Sequence, residues 1–100
     1  MEMQKGDIVQ SLNGRDKGNP LFAAEFDGDY VILVDGKSRR LEHPKRKKRK
    51  HCMFLAHDSS RTAEKLKAGE RVTNSEIRRA LAAFIAGGAE QQSDQDTGGG

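Results

Sequence analysis

"FAAEFDGDYVILVDGKSR", residues 22–39, decides the fold. Two Asp-Gly pairs, Asp27-Gly28 and Asp35-Gly36, bracket the apolar run from Tyr30 to Val34. Such pairs favour two-residue hairpin loops with positive φ, whose twist matches that of the flanking strands. The stretch therefore predicts two hairpins sharing one central strand, Tyr30–Val34, apolar at every position and the best-buried element. Upstream, Phe22, Ala24 and Phe26 alternate with Ala23 and Glu25, as a half-buried strand requires. Downstream, residues 38–43 are expected to form the fourth strand. Residues 7–12 and 52–55 supply a first and a fifth. Five short strands are the count of a minimal β-barrel, and Pro44, with no amide hydrogen to give a ladder, marks the exit from the fourth strand into a loop.

Length and composition agree with one small core. In 100 residues, 34% are hydrophobic and 33% charged, which leaves no room for a second domain. The single cysteine cannot form an internal disulfide, no basic-then-apolar leader opens the chain, and no apolar run reaches membrane-spanning length. The expectation is a soluble, cytoplasmic protein.

Net charge is only +3, but it is unevenly spread. Between residues 37 and 51 stand nine Lys or Arg against Glu42 alone, while the remaining residues carry nine against fourteen acids. Six consecutive cations, Lys45, Arg46, Lys47, Lys48, Arg49 and Lys50, lie between strand signals, so they are expected to form a loop or strand edge rather than a tail. Concentration of this kind points to a polyanionic partner. A second candidate is Asn13-Gly14-Arg15-Asp16-Lys17-Gly18. There Gly14 and Gly18 lack Cβ atoms and let a sugar-phosphate backbone approach, Arg15 and Lys17 bring charge, and Asp16 serves the turn. Lys37, Arg39, Arg40 and His51 complete the expected site. Arg39 and Arg40 would face opposite ways in a strand, so only one of them belongs to it.

Residues 5–39, "KGDIVQSLNGRDKGNPLFAAEFDGDYVILVDGKSR", resemble a KOW motif, a strand, Gly-containing loop and strand unit of large-subunit ribosomal proteins and transcription elongation factors. With Asp35-Gly36-Lys37, the Pro44-Lys45-Arg46-Lys47-Lys48 run and Lys50-His51, the likeness narrows to bacterial KOW-domain RNA-binding proteins related to an archaeal and eukaryotic large-subunit ribosomal protein. It covers roughly residues 3–57. Cys52-Met53 departs from the aliphatic residues expected there. The resemblance implies a small SH3-like (KOW) five-stranded β-barrel, mainly β with C-terminal helices. It also implies a ribosome-associated, non-catalytic protein that binds structured RNA, ribosomal RNA first, with ribosomal proteins as further partners.

Aromatic residues are few. Phe22, Phe26, Tyr30, Phe54 and Phe84 sit where a core needs them, so exposed stacking platforms for loose single strands are not expected. His43, His51, Cys52 and His57 lack the paired spacing of a zinc site. No Gly-Lys-Ser/Thr follows Gly18, and nothing suggests catalysis. No cofactor, metal, small-molecule substrate or membrane partner is expected. The alternative function is a protein-interaction module contacting the transcription or translation machinery.

Past His57 the period changes. Ser59 or Ser60 can cap a short helix through about Lys67, with Ala63 and Leu66 inward and Gly69 ending it. Thr73-Asn74-Ser75-Glu76 has capping-box spacing, and Ile77, Leu81, Phe84 and Ile85 form one apolar stripe. This extension, residues 58–88, is expected to pack on the barrel of residues 1–57. Residues 89–100 carry nothing to bury and are expected to be disordered.

Overall fold

The computed structural model describes residues 3–12, 14 and 18–87. One antiparallel sheet contains β1 (Asp7–Ser11), β2 (Pro20–Asp27), β3 (Tyr30–Val34), β4 (Lys45–Lys48) and β5 (Cys52–His57) in the order β4-β3-β2-β1-β5. Two helices follow, α1 (Arg61–Ala68) and α2 (Asn74–Gly87). The chain is thus a small, mainly β domain with C-terminal helices. The expected tail, 89–100, and Asn13, Arg15, Asp16 and Lys17 of the expected loop lie outside the described residues.

The first Asp-Gly pair does form a hairpin: Asp27 pairs with Tyr30, and Gly28 at φ 61° begins the two-residue turn. The second does not, which corrects the expected fourth strand. Asp35 Oδ1 accepts the amides of Lys37 and Arg39, both at 2.8 Å, so residues 35–39 close into an Asx-type turn. The Asp35 amide in turn donates to the Arg39 carbonyl. Between 38 and 43 only an isolated bridge, Arg40 to His43, survives. The partner of β3 is instead the cationic run itself, with Leu33 opposite Lys45 and Tyr30 opposite Lys48. Residues 45–48 are therefore a strand at the sheet edge, where lysines keep another chain from adding on.

The sheet is strongly curled. A single 3-10 turn, Arg49–His51, joins β4 to β5, the two edge strands. The Arg49 amide donates to the carbonyl of Asp29 at the β2–β3 hairpin tip, 2.8 Å away, and the His51 carbonyl accepts from Leu12 past the end of β1, 2.9 Å away. Because Gln10 pairs with Pro20 and Asp27 with Tyr30, a flat sheet would hold those two points roughly 20 Å apart along the strands. Here the three residues Arg49–His51 span them.

Alternation along the strands sorts the core into two clusters. Ile8, Phe22 and Val34 pack with Ala63, Leu66, Ile77 and Leu81 of the helices. Val9, Leu21, Ala23, Val31 and Leu33, all fully buried, form the second cluster, which has no helix residue. Met3, ahead of β1, packs against it together with Phe26 and Cys52. β3 is not the best-buried strand: Tyr30 and Ile32, opposite Lys48 and Arg46, are half-buried, whereas four of the five β1 residues are buried. Among these is Asp7. Its carboxylate accepts the Gln4 amide at 2.7 Å and meets His57 Nδ1 at 2.8 Å, so the buried polar group is partnered.

Of the two serines, Ser60 caps α1, its hydroxyl accepting from the Ala63 amide at 3.1 Å, and Gly69 ends the helix in a left-handed conformation. On α2 the capping box is reciprocal. Thr73 Oγ1 accepts the Glu76 amide at 3.1 Å and Glu76 Oε1 accepts the Thr73 amide at 2.9 Å. Ile77, Leu81 and Phe84 face the sheet, but Ile85 is 66% exposed and leaves the expected stripe.

Candidate nucleic-acid interface

Strand geometry divides the cations of β4. Lys45 and Lys47 stand opposite Leu33 and Val31, on the face of the second core cluster, and are half-buried with their stems against apolar surface. Arg46 and Lys48 stand opposite Ile32 and Tyr30 on the outer face and are exposed. Lys50 is exposed as well, while Arg49 and His51 in the 3-10 turn are half-buried.

Two of the arginines are clamped on aromatic rings. The Arg46 guanidinium carbon lies 3.7 Å from the centre of the Tyr30 ring, and Nη2 meets Asp27 Oδ2 at 3.3 Å. Arg49 lies 4.6 Å from the centre of the Phe26 ring. Cation–π contacts of this kind hold the planes in place while leaving a charged face outward. Both rings are thus beds for guanidinium groups; the expected core role holds for Phe26, packed against the second cluster, and not for Tyr30, half-buried on the outer face. No local pattern announces these contacts; they become readable only once residues 45–48 are known to pair with β3.

The glycine loop meets this edge. A Cβ placed on Gly14 would stand 3.5 Å from Lys47 Nζ, so Gly14 and the cationic strand share one region of the surface. Gly18 has a φ of 86° and open space around it. Beyond it, Asn19 shares a cleft of about 410 Å³ with Lys37, Ser38 and Arg78. Gly14 thus lies near Lys47, and Asn19 near Lys37. Asn13, Arg15 and Lys17, expected to line it, fall outside the described residues.

Lys37, Arg39 and Arg40 occupy the connection between β3 and β4. Arg40 is exposed, its Nε donating to the Lys37 carbonyl at 3.3 Å and its guanidinium 3.8 Å from Glu42, whereas Arg39 is half-buried. Asn74 at the start of α2 staples this connection: its Oδ1 accepts the Leu41 amide at 2.8 Å and its Nδ2 donates to Glu42 at 2.7 Å. The Asn74 bond, first, and the Arg40 charge hold the Glu42 carboxyl below its usual range. Burial raises the Cys52 thiol, against the pull of Lys47.

Among the described residues no cluster of three or more His, Cys, Asp or Glu is placed to hold a metal, and no helix is long and apolar enough to cross a membrane. What the edge offers is positive charge on a strand tied into the sheet through β3. Comparison with known proteins returns no matching family model and no matching curated protein.

Proposed function

We propose that this chain is a non-catalytic RNA-binding protein of the cytoplasm. Its curled sheet is read as an SH3-like barrel of KOW type, and the cationic edge of that barrel binds structured RNA, ribosomal RNA foremost. The observation that carries the reading is the rigid strand Lys45–Lys48, continued by Arg49 and Lys50, with Gly14 beside Lys47. Cations two apart on one face of a strand, about 6.6 Å from each other, meet successive phosphates without the entropy cost of ordering a loose loop. The burial of Val9, Leu21, Ala23, Val31 and Leu33 without any helix residue supports the barrel. Because Phe26 and Tyr30 lie under guanidinium groups, recognition works through phosphate and shape more than through stacking on aromatic rings.

Sedimentation of cell extract through a gradient tests this directly. The protein is expected to travel with ribosomal particles and to leave them after ribonuclease treatment. Persistence with polymerase or free ribosomal proteins after that treatment favours a protein-interaction module instead. The exposed Ile85 at the end of α2 is the observation behind that second reading.

A further inference from the structure

A shallow cleft of about 330 Å³ lies between the β2–β3 hairpin tip and the 3-10 turn, lined by Asp29, Lys48, Arg49 and Lys50. Three cations around one acid are not what a purely phosphate-binding surface needs. A carboxylate repels phosphate, and the fold sets Asp29 beside Lys48, Arg49 and Lys50 of the most basic stretch of the chain. Its neighbour Asp27 is neutralised by Arg46, whereas no ion pair within the described residues involves Asp29. The Asp29 carbonyl is already engaged by the Arg49 amide, so the carboxylate is the group this residue brings to a ligand.

Arg49 is held twice, at its backbone by Asp29 and at its guanidinium by the ring of Phe26, 4.6 Å away. A planar cation fixed in this way is a stacking surface for a base that has left its helix. The cleft volume falls at the small end of the range of about 300–1,000 Å³ that ligand clefts span, the scale of one nucleotide and not of a duplex.

We propose that this cleft is a subsite for a single unpaired guanine nucleotide, stacked on Arg49, with its Watson–Crick edge read by Asp29 and its phosphates met by Lys48 and Lys50. An ionised carboxylate only accepts hydrogen bonds, and it does so with two oxygens. Guanine offers it two parallel donors, the ring N1–H and the exocyclic amino group. Cytosine and adenine offer one amino group each, and uracil a single ring N–H. The proposal rests on the RNA-binding reading and narrows it: the preferred RNA is a helix carrying an extruded guanosine, not a continuous duplex.

Fluorescence anisotropy with labelled RNA hairpins of one stem, carrying a single bulged guanosine, adenosine, cytidine, uridine or no bulge, tests the subsite without altering the protein. The expected result is binding of the guanosine bulge about tenfold tighter than the other bulges and the unbulged stem, a ratio within that of one bidentate base contact. Asp29→Asn should erase the preference while preserving or raising affinity for the unbulged stem, and Arg49→Lys should weaken the bulged hairpins more than the unbulged one. Equal affinity for every hairpin, with a steep salt dependence, overturns the subsite and leaves the RNA-binding reading standing. Absence of binding to all of them at low ionic strength overturns both.

Discussion

At the residue scale, Gly36 carries more structural demand than either glycine of the expected loop. Its φ is 79°, and a Cβ there would run into the Asn74 carbonyl oxygen and stand 3.0 Å from Arg78 Cγ. Arg78 Nη1 also donates to the Gly36 carbonyl at 2.7 Å, so α2 and the β3–β4 connection meet at this point. Gly36→Ala is expected to cost about 1–3 kcal/mol in urea unfolding, through strain plus displacement of the helix start. Gly18→Ala, with open space around it, should cost less. Equal costs would mean that the contact with Asn74 gives way freely. The sequence marks Gly36 as a hairpin glycine and correctly demands positive φ. It hides the reason, because Asn74 lies 38 residues on and no local pattern announces the contact.

At the element scale, the two helices follow from their caps. Ser60→Ala should destabilise the protein by about 1 kcal/mol by leaving the Ala63 amide without its partner, measured as a shift in the urea midpoint at unchanged slope. Glu76 adds a pH signature. Its carboxyl is held below the ordinary 4.5, first by the Lys65 ammonium at 2.7 Å and then by the Thr73 amide. A group depressed in the folded state stabilises above its unfolded value, and that contribution disappears as pH falls through the folded value. Glu76→Gln should therefore lower the thermal midpoint at pH 7 and narrow its difference from wild type as the solution is acidified below 4.5. A constant difference across that range would assign the effect to packing instead.

The elements also show what the sequence leaves unreadable. The caps, the first hairpin and the apolar stripe through Phe84 were legible because each is encoded within a few residues. The fourth strand was not. Residues 38–43 alternate no worse than 45–48, but Asp35 captures two nearby amides, and the tie of Leu41 to Asn74 draws the segment off the sheet. A run of six cations carries no hydrophobic period, so its pairing with Tyr30–Val34 is decided by the free edge of that strand. The same pairing explains why Arg46 and Arg49 rest on Tyr30 and Phe26, of which only Phe26 also packs against a core cluster.

At the scale of the whole molecule, positive charge is gathered on one edge of a curled sheet, and the helices pack on the opposite face of that sheet's core. The curl brings the hairpin tip, the 3-10 turn and the end of β1 to one place, which is how Gly14 comes to lie beside Lys47. Arg46→Met should separate the two roles of the edge. Loss of the Tyr30 and Asp27 contacts is expected to lower stability by about 1 kcal/mol, since an exposed cation–π contact and a surface ion pair are each worth no more than that.

On the proposed reading, the cations of the edge strand and its turn neutralise RNA phosphates from fixed positions. Its most direct test is the slope of log affinity against log salt for a ribosomal RNA fragment, compared between the wild type and a variant with Lys45, Lys47, Lys48 and Lys50 changed to Gln. Each phosphate contact contributes about −0.7 to −0.9 to that slope. The expected result is a wild-type slope corresponding to roughly four to eight contacts and a variant slope shallower by about two to four contacts, with the unfolding midpoint little changed. An unchanged slope in a folded variant would contradict the account and leave the edge as solvated surface.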